Sequence, residues 1–123
     1  MRILVIGATG TIGSAVVQQL GNKVEIITAS RKGSALSVDI SNPESIKQMF
    51  SGLSKLDAIV CTVGVAAYAP LFKLTDADFE AGLHNKLMGQ VNLVRFGVEA
   101  LADRGSFTLT GGIASRRPFE SGG

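Results

Sequence analysis

Apolar residues run along this chain in two rhythms. Residues 2–6, RILVI, form a short β-branched run of the kind a strand buried on both faces shows. GATGTIG follows at once, and a helix is expected from Thr11, with Ile12, Ala15, Val16 and Leu20 at helical spacing and Gly21-Asn22 as its stop. VEIITA at 24–29 reads as a second buried strand, and 35–40 as a weaker third. Asn42 then stands as N-cap before Pro43 at the first helical position. Ile46, Met49, Phe50 and Leu53 share one face of that helix. DAIVCTV at 57–63 is a fourth strand. From Thr75, Phe79, Leu83, Leu87, Val91, Val94, Val98 and Leu101 draw a seam along a long helix over 76–102, roughly seven turns. Thr75 with Asp78 has the spacing of a capping box built on the shorter acid. SFTLT at 106–110 closes the series as a fifth strand. This strand-helix alternation predicts an α/β fold, a doubly wound parallel sheet of about five strands with helices on both faces.

Composition narrows the class. The 123 residues are 46% hydrophobic and 18% charged, which suits one domain whose sheet is covered on both sides. Twelve basic and ten acidic residues are scattered without a block of like charge, so neither nucleic acid nor a membrane surface is an expected partner. The apolar stretch 58–72 is broken by Gly64 and Pro70 and is too short to span a bilayer. With the single Cys61 unable to form an internal disulfide and no leader pattern at Met1-Arg2, a cytoplasmic protein is expected.

Gly7, Gly10 and Gly13 stand between the first strand and the first helix, where a Rossmann-type fold sets a pyrophosphate against free backbone N–H groups. The first glycine permits the turn, the second lets the ligand reach the backbone, and the third lets helix and strand pack closely. Thr9, Thr11 and Ile12 are carried on the same loop. No Gly-Lys-Ser/Thr follows, which excludes a P-loop. A ribose-binding acid would be expected about 20 residues past the glycines, and the second strand instead ends in Thr28-Ala29-Ser30-Arg31-Lys32. An arginine there pairs with a 2′-phosphate, so Arg31, with a hydroxyl from Ser30 and charge from Lys32, favours NADP(H) over NAD(H).

With these motifs the chain resembles the short-chain dehydrogenase/reductases over its whole length. GATGTIG is similar to their glycine loop. The resemblance implies that Asp39 and the backbone of Ile40 face the adenine, and that Gly64 of CTVG ends the fourth strand at the cofactor. It implies chemistry by a tyrosine, a lysine, a serine and an asparagine. Alignment on Gly89 puts Lys86 at the asparagine position with Asn85 beside it. Thr110 is the nearest hydroxyl to the serine position, with Ser115 a distant substitute. The family's Tyr-x-x-x-Lys has no counterpart within these residues, and the one tyrosine, Tyr68, reads as loop packing or substrate lining. Residues 1–123 are therefore expected to be a single NADP(H)-binding domain, the N-terminal part of a longer chain.

Other residues carry less. His84 has no partners at a metal-ligand spacing, so no metal site is expected. Cys61 reads as a small buried hydrophobe. Arg116-Arg117 could clamp an acidic substrate or the cofactor phosphates, or solvate a loop. Leu93 and Phe96, beside the main seam, make the long helix more apolar than one face against a sheet requires, which points to a homo-oligomer formed through it. Three functions stay open: an oxidoreductase moving hydride between NADP(H) and a small-molecule carbonyl or alcohol, a non-catalytic NADP(H)-binding sensor, and a fragment assembling with a complementary chain.

Overall fold

A computed structural model describes residues 1–112 and 116–117. The elements follow in the order β1 (Arg2–Ile6), α1 (Thr11–Leu20), β2 (Glu25–Ser30), β3 (Leu36–Ser37), α2 (Pro43–Phe50), β4 (Leu56–Cys61), α3 (Asp76–Gly82), α4 (Met88–Gly97) and β5 (Leu101–Thr108). All strand pairs are parallel, and the sheet order β3-β2-β1-β4-β5 is that of a doubly wound Rossmann-type half. β1 lies at the centre, paired from Arg2↔Glu25 to Ile6↔Ala29 on one side and from Ile3↔Ala58 to Ile6↔Cys61 on the other.

Side-chain alternation splits the core in two. Ile3 and Val5 of β1 face α1, where they meet Val16, Val17 and Leu20 together with Ala58 and Val60 of β4. Leu4, Ile6, Ile59 and Cys61 face the opposite way and pack with Ile46, Met49 and Phe50 of α2 and Leu93 of α4. Every interior residue of the central strands is thus used on one face or the other. That explains why these strands are unbroken apolar runs rather than alternating ones.

The first helix and the N-cap of the second fall where the sequence places them. Asn42 accepts from the Glu44 N–H with Pro43 at N1, and Thr75 and Asp78 form the reciprocal capping box. Three expectations are corrected. The third strand is only Leu36–Ser37, because Asp39 N–H is given to Ser45 Oγ and its carboxylate to Ser41, which turns the chain into α2. The fifth strand begins at Leu101 rather than 106 and ends at Thr108. Leu101 pairs with Leu56 and Ser106 with Ala58, so the intervening residues bulge out, with Arg104 at φ 65°.

The long helix runs from 76 to 100 instead of 102, through a π-helical turn at Leu83–Leu87 and a final 3₁₀ turn at Val98–Ala100. Its seam of Phe79, Leu83, Leu87 and Val91 is exposed, while Gly89, Asn92, Leu93 and Gly97 form the buried face. Steps of four residues drift by about 40° each on a straight α-helix. The π turn, with more residues per turn, offsets part of that drift within the run.

Candidate functional site

Parallel strands end on one edge, and the crevice between β1 and β4, from which the chain departs to opposite faces, is where such sheets take ligands. A cleft of about 520 Å³ opens there, lined by Gly7, Thr9, Gly10, Ser30, Arg31, Lys32, Val38, Asp39, Ile40, Thr62, Val63, Val65 and Asn85. Three glycines shape the turn beside it, each by a different property. Gly7 has φ +88°, open to glycine and strained for other residues. A Cβ on Gly13 would collide with the Gly7 carbonyl oxygen and come within 2.8 Å of Thr62 Oγ1. A Cβ on Gly10 would meet only the Gly7 oxygen, at 3.4 Å, and otherwise project into open space. Nothing among the described residues therefore demands glycine at position 10.

Gly10 is also the N-cap of α1 and offers no side chain to the helix. The amides of Thr11, Ile12 and Gly13 meet no acceptor among the described residues, and the first turn carries no acid. They leave a positive helix end facing the cleft, the arrangement that binds phosphate. A dinucleotide's pyrophosphate fits this cradle in charge and in space.

At the far end of the cleft Arg31 and Lys32 are exposed, and the one carboxylate lining it is Asp39. Asp39 accepts from Ser41 Oγ at 2.6 Å and Ser41 N–H at 3.0 Å. These bonds, aided weakly by Arg31, hold its carboxyl below the ordinary value. Ser30 lines the cleft, but its hydroxyl donates to the Lys32 carbonyl at 2.7 Å and pairs with Ser34 Oγ, so it shapes the turn that presents Arg31. Ile40 is a core residue packed against Gly89, and only its backbone is available to a ligand.

The π turn carries Asn85, which lines the cleft, and Lys86, which lines the groove beside it. Asn85 Oδ1 accepts from Val65 N–H at 2.6 Å, and the Lys86 side chain lies across Gly64, where a Cβ would stand 3.2 Å from Nζ and clash with Cδ. Asn85 and Lys86, alternatives by alignment, both reach the end of β4. Thr110 lines the neighbouring groove with Lys86 instead of the cleft, and its hydroxyl donates to the Cys61 carbonyl at 2.5 Å. Cys61 is fully buried, and burial pushes its thiol pKa up, with Lys86 pulling weakly the other way. Tyr68 is exposed in the loop after β4, outside the cleft lining. His84 sits on the helix surface against Glu80, Arg116 and Arg117 are exposed, and Ser115 lies outside the described residues.

Two residues escaped the sequence. Thr62 donates from Oγ1 to the Ile6 carbonyl at 3.0 Å, tying the end of β4 to the glycine turn. Gln90 clips the segment after β5 to the helix: its Oε1 accepts from Thr110 N–H at 3.0 Å, and its Nε2 donates to the carbonyls of Thr110 and Lys86 at 3.1 Å. A side-chain amide that pairs with both backbone groups of one residue imitates a neighbouring strand.

A family model, the NAD dependent epimerase/dehydratase family, matches residues 3–116. The chain belongs to that family. The short-chain dehydrogenase/reductase resemblance stands with it, since solved structures of such enzymes share the fold. The protein lin1944 from Listeria innocua is 48% identical and superposes with a TM-score of 0.95 over 99% of this chain and 61% of its own. A small-chain dehydrogenase in complex with NADPH is 26% identical, with a TM-score of 0.88 over 98% of this chain and 55% of its own. The 3-oxoacyl-[acyl-carrier-protein] reductase FabG of Rickettsia typhi (strain ATCC VR-144 / Wilmington) is 27% identical over 82% of this chain and 48% of its own. The chain thus spans about half to three-fifths of these relatives. Its fold is of the Rossmann nucleotide-binding type, and no helix among the described residues is long and apolar enough to cross a membrane.

Gln90→Ala removes three partly buried hydrogen bonds and is expected to cost about 1–3 kcal/mol in urea unfolding, with faster amide exchange at Thr110 as its local mark. Asp39, whose carboxyl is held below its ordinary 3.8, stabilises the fold fully well above that value and loses this contribution as the pH falls through its lowered folded value. The stability gap between the wild type and Asp39→Asn is expected to shrink steadily on acidification; a gap constant with pH would contradict it.

Proposed function

We propose that the protein is an oxidoreductase of the short-chain dehydrogenase/reductase type that transfers hydride between NADP(H) and a carbonyl or alcohol substrate. The observation that carries the cofactor choice is the ribose end of the cleft: Arg31 and Lys32 stand after β2, and Ser30 turns the chain so that no acid meets a 2′-hydroxyl. The N–H groups of Thr11, Ile12 and Gly13 hold the diphosphate, Arg31 pairs with the 2′-phosphate, and Asp39 with the Ile40 backbone borders the adenine. Thr9, Val63 and Val65 form the walls, and Gly64 lies between the last two in the chain. When bound, the nicotinamide supplies or takes the hydride. Asn85, Lys86 and Thr110 are the residues of this chain that stand at the substrate end. We place the protein in the cytoplasm, consistent with its lone buried thiol.

NADPH and NADH titrations followed by fluorescence test this. NADPH is expected to bind at least tenfold more tightly, and Arg31→Ala to erase the difference by weakening NADPH alone. Gly10→Ala, which the fold can house, is expected to weaken both nucleotides at unchanged melting temperature. Equal affinities in the wild type would remove the NADP(H) assignment, and no binding of either would remove the function.

The exposed row Phe79, Leu83, Leu87 and Val91 supports a homo-oligomer joined through the long helix, because a continuous apolar stripe is what a second copy buries. Sedimentation velocity is expected to find a dimer or larger assembly that dissociates in a Leu87→Glu, Val91→Glu double variant. A monomeric wild type would refute it.

A further inference from the structure

We propose that the Thr62 hydroxyl is a positioning group for the nucleotide's diphosphate: it holds the Gly7 carbonyl away from the first amides of α1, so that these amides meet phosphate rather than the protein's own backbone. The proposal rests on the cleft being the dinucleotide site and adds the residue that prepares it. In a regular strand the N–H and C=O of one residue point to the same edge, and those of the next residue to the other. β1 keeps that order through Ile6, whose carbonyl accepts from Thr62 N–H at 2.9 Å. Gly7 breaks it. Its N–H goes to the Ala29 carbonyl of β2 at 2.8 Å, whereas its carbonyl turns to the opposite edge and accepts from Thr62 Oγ1 at 3.3 Å, and the Ala8 N–H follows that of Gly7 to Ala29 at 3.3 Å. The Gly7–Ala8 peptide is therefore turned over, a conformation that the φ of +88° at Gly7 allows.

One hydroxyl proton is shared between the carbonyls of Ile6, at 3.0 Å, and Gly7. Neither carbonyl needs it as a sole partner, because Ile6 also has the Thr62 N–H and Gly7 has the Gly10 N–H at 3.0 Å. The hydroxyl thus adds direction more than satisfaction. A Cβ on Gly13 would strike both the Gly7 oxygen and Thr62 Oγ1, so the two lie together beneath the first turn of α1. The first amides of a helix lack a partner within it, and the Gly7 carbonyl stands four residues before Thr11, the spacing of an ordinary helical bond. Released from Thr62, it can trade Gly10 for Thr11 and extend the helix backwards into the glycine turn. The helix end would then be capped by the protein instead of by phosphate.

The test combines amide hydrogen exchange without ligand with NMR titrations of the protein by inorganic pyrophosphate, NADPH and adenosine 2′-monophosphate. Thr62→Val and Thr62→Ala remove the hydroxyl with and without a methyl in its place, and Thr62→Ser keeps it. Without ligand, exchange in Thr62→Val and Thr62→Ala is expected to slow at Thr11 and quicken at Gly10. Affinity for pyrophosphate and NADPH is expected to fall about tenfold, the worth of one hydrogen bond, while adenosine 2′-monophosphate, which reaches only the Arg31 end, binds as before. Thr62→Ser is expected to match the wild type. Unchanged pyrophosphate affinity in both hydroxyl-free variants, an equal loss for adenosine 2′-monophosphate, lost affinity with exchange at Gly10 and Thr11 unaltered, or no binding of pyrophosphate by the wild type would overturn the proposal. A wild type that binds pyrophosphate but not NADPH would sink the proposed function alone, and the pyrophosphate series would still decide the role of Thr62.

Discussion

A hydrogen atom in place of a methyl group at position 13 is what lets this domain close. With no Cβ there, α1 comes down onto the Gly7 carbonyl and onto Thr62 at the end of β4. The hydroxyl of Thr62 then ties β4 back to Ile6. Helix, central strand and neighbouring strand therefore meet at one point with no side chain between them. The free N–H groups of α1 start at that point, so the contact that packs the fold also sets where the positive end of the helix lies. Any shift of the helix along the strand would move binding and packing together.

Local signals made the central part of the molecule legible. The boundaries of β1 and α1, the Asn42 cap and the Thr75 capping box each depend on a few adjacent residues, and the sequence carries them completely. The turn at Gly7 and the close packing at Gly13 were readable because each follows from what a single missing Cβ permits. Where an element depends on a distant partner the sequence is silent. The start of β5 is decided by Leu56, far back in the chain, and the bulge after Leu101 hides it from any alternation pattern. The edge strand β3 looked longer than it is because Asp39 spends its N–H on Ser45, a choice made by the start of the next helix.

The site divides in the same way. Arg31 and Ser30 both line the cleft, where their distance past the glycines suggested; the bond from the Ser30 hydroxyl to the Lys32 carbonyl was not legible in the sequence. Asn85 and Lys86 competed for one aligned position because alignment assumes a regular helix. The π turn gives each a place of its own, and its one trace in the sequence is the run of four-residue steps from Phe79 to Val91. Gln90 had no motif to announce it, since an amide that stands in for a strand is recognised only when its partner, Thr110, is in view.

The bulge between Leu101 and Ser106 has a practical meaning. It lies at the opposite edge of the sheet from the cleft, with Asp103 and Arg104 exposed and the ladder already interrupted. The chain there has surplus length that no neighbouring strand reads. A dye, an affinity handle or a short inserted peptide placed at Asp103–Arg104 would ride on β5 at the end of the sheet away from the cleft. That makes this the natural point at which to tether the molecule to a surface or follow it by fluorescence while the cleft is at work.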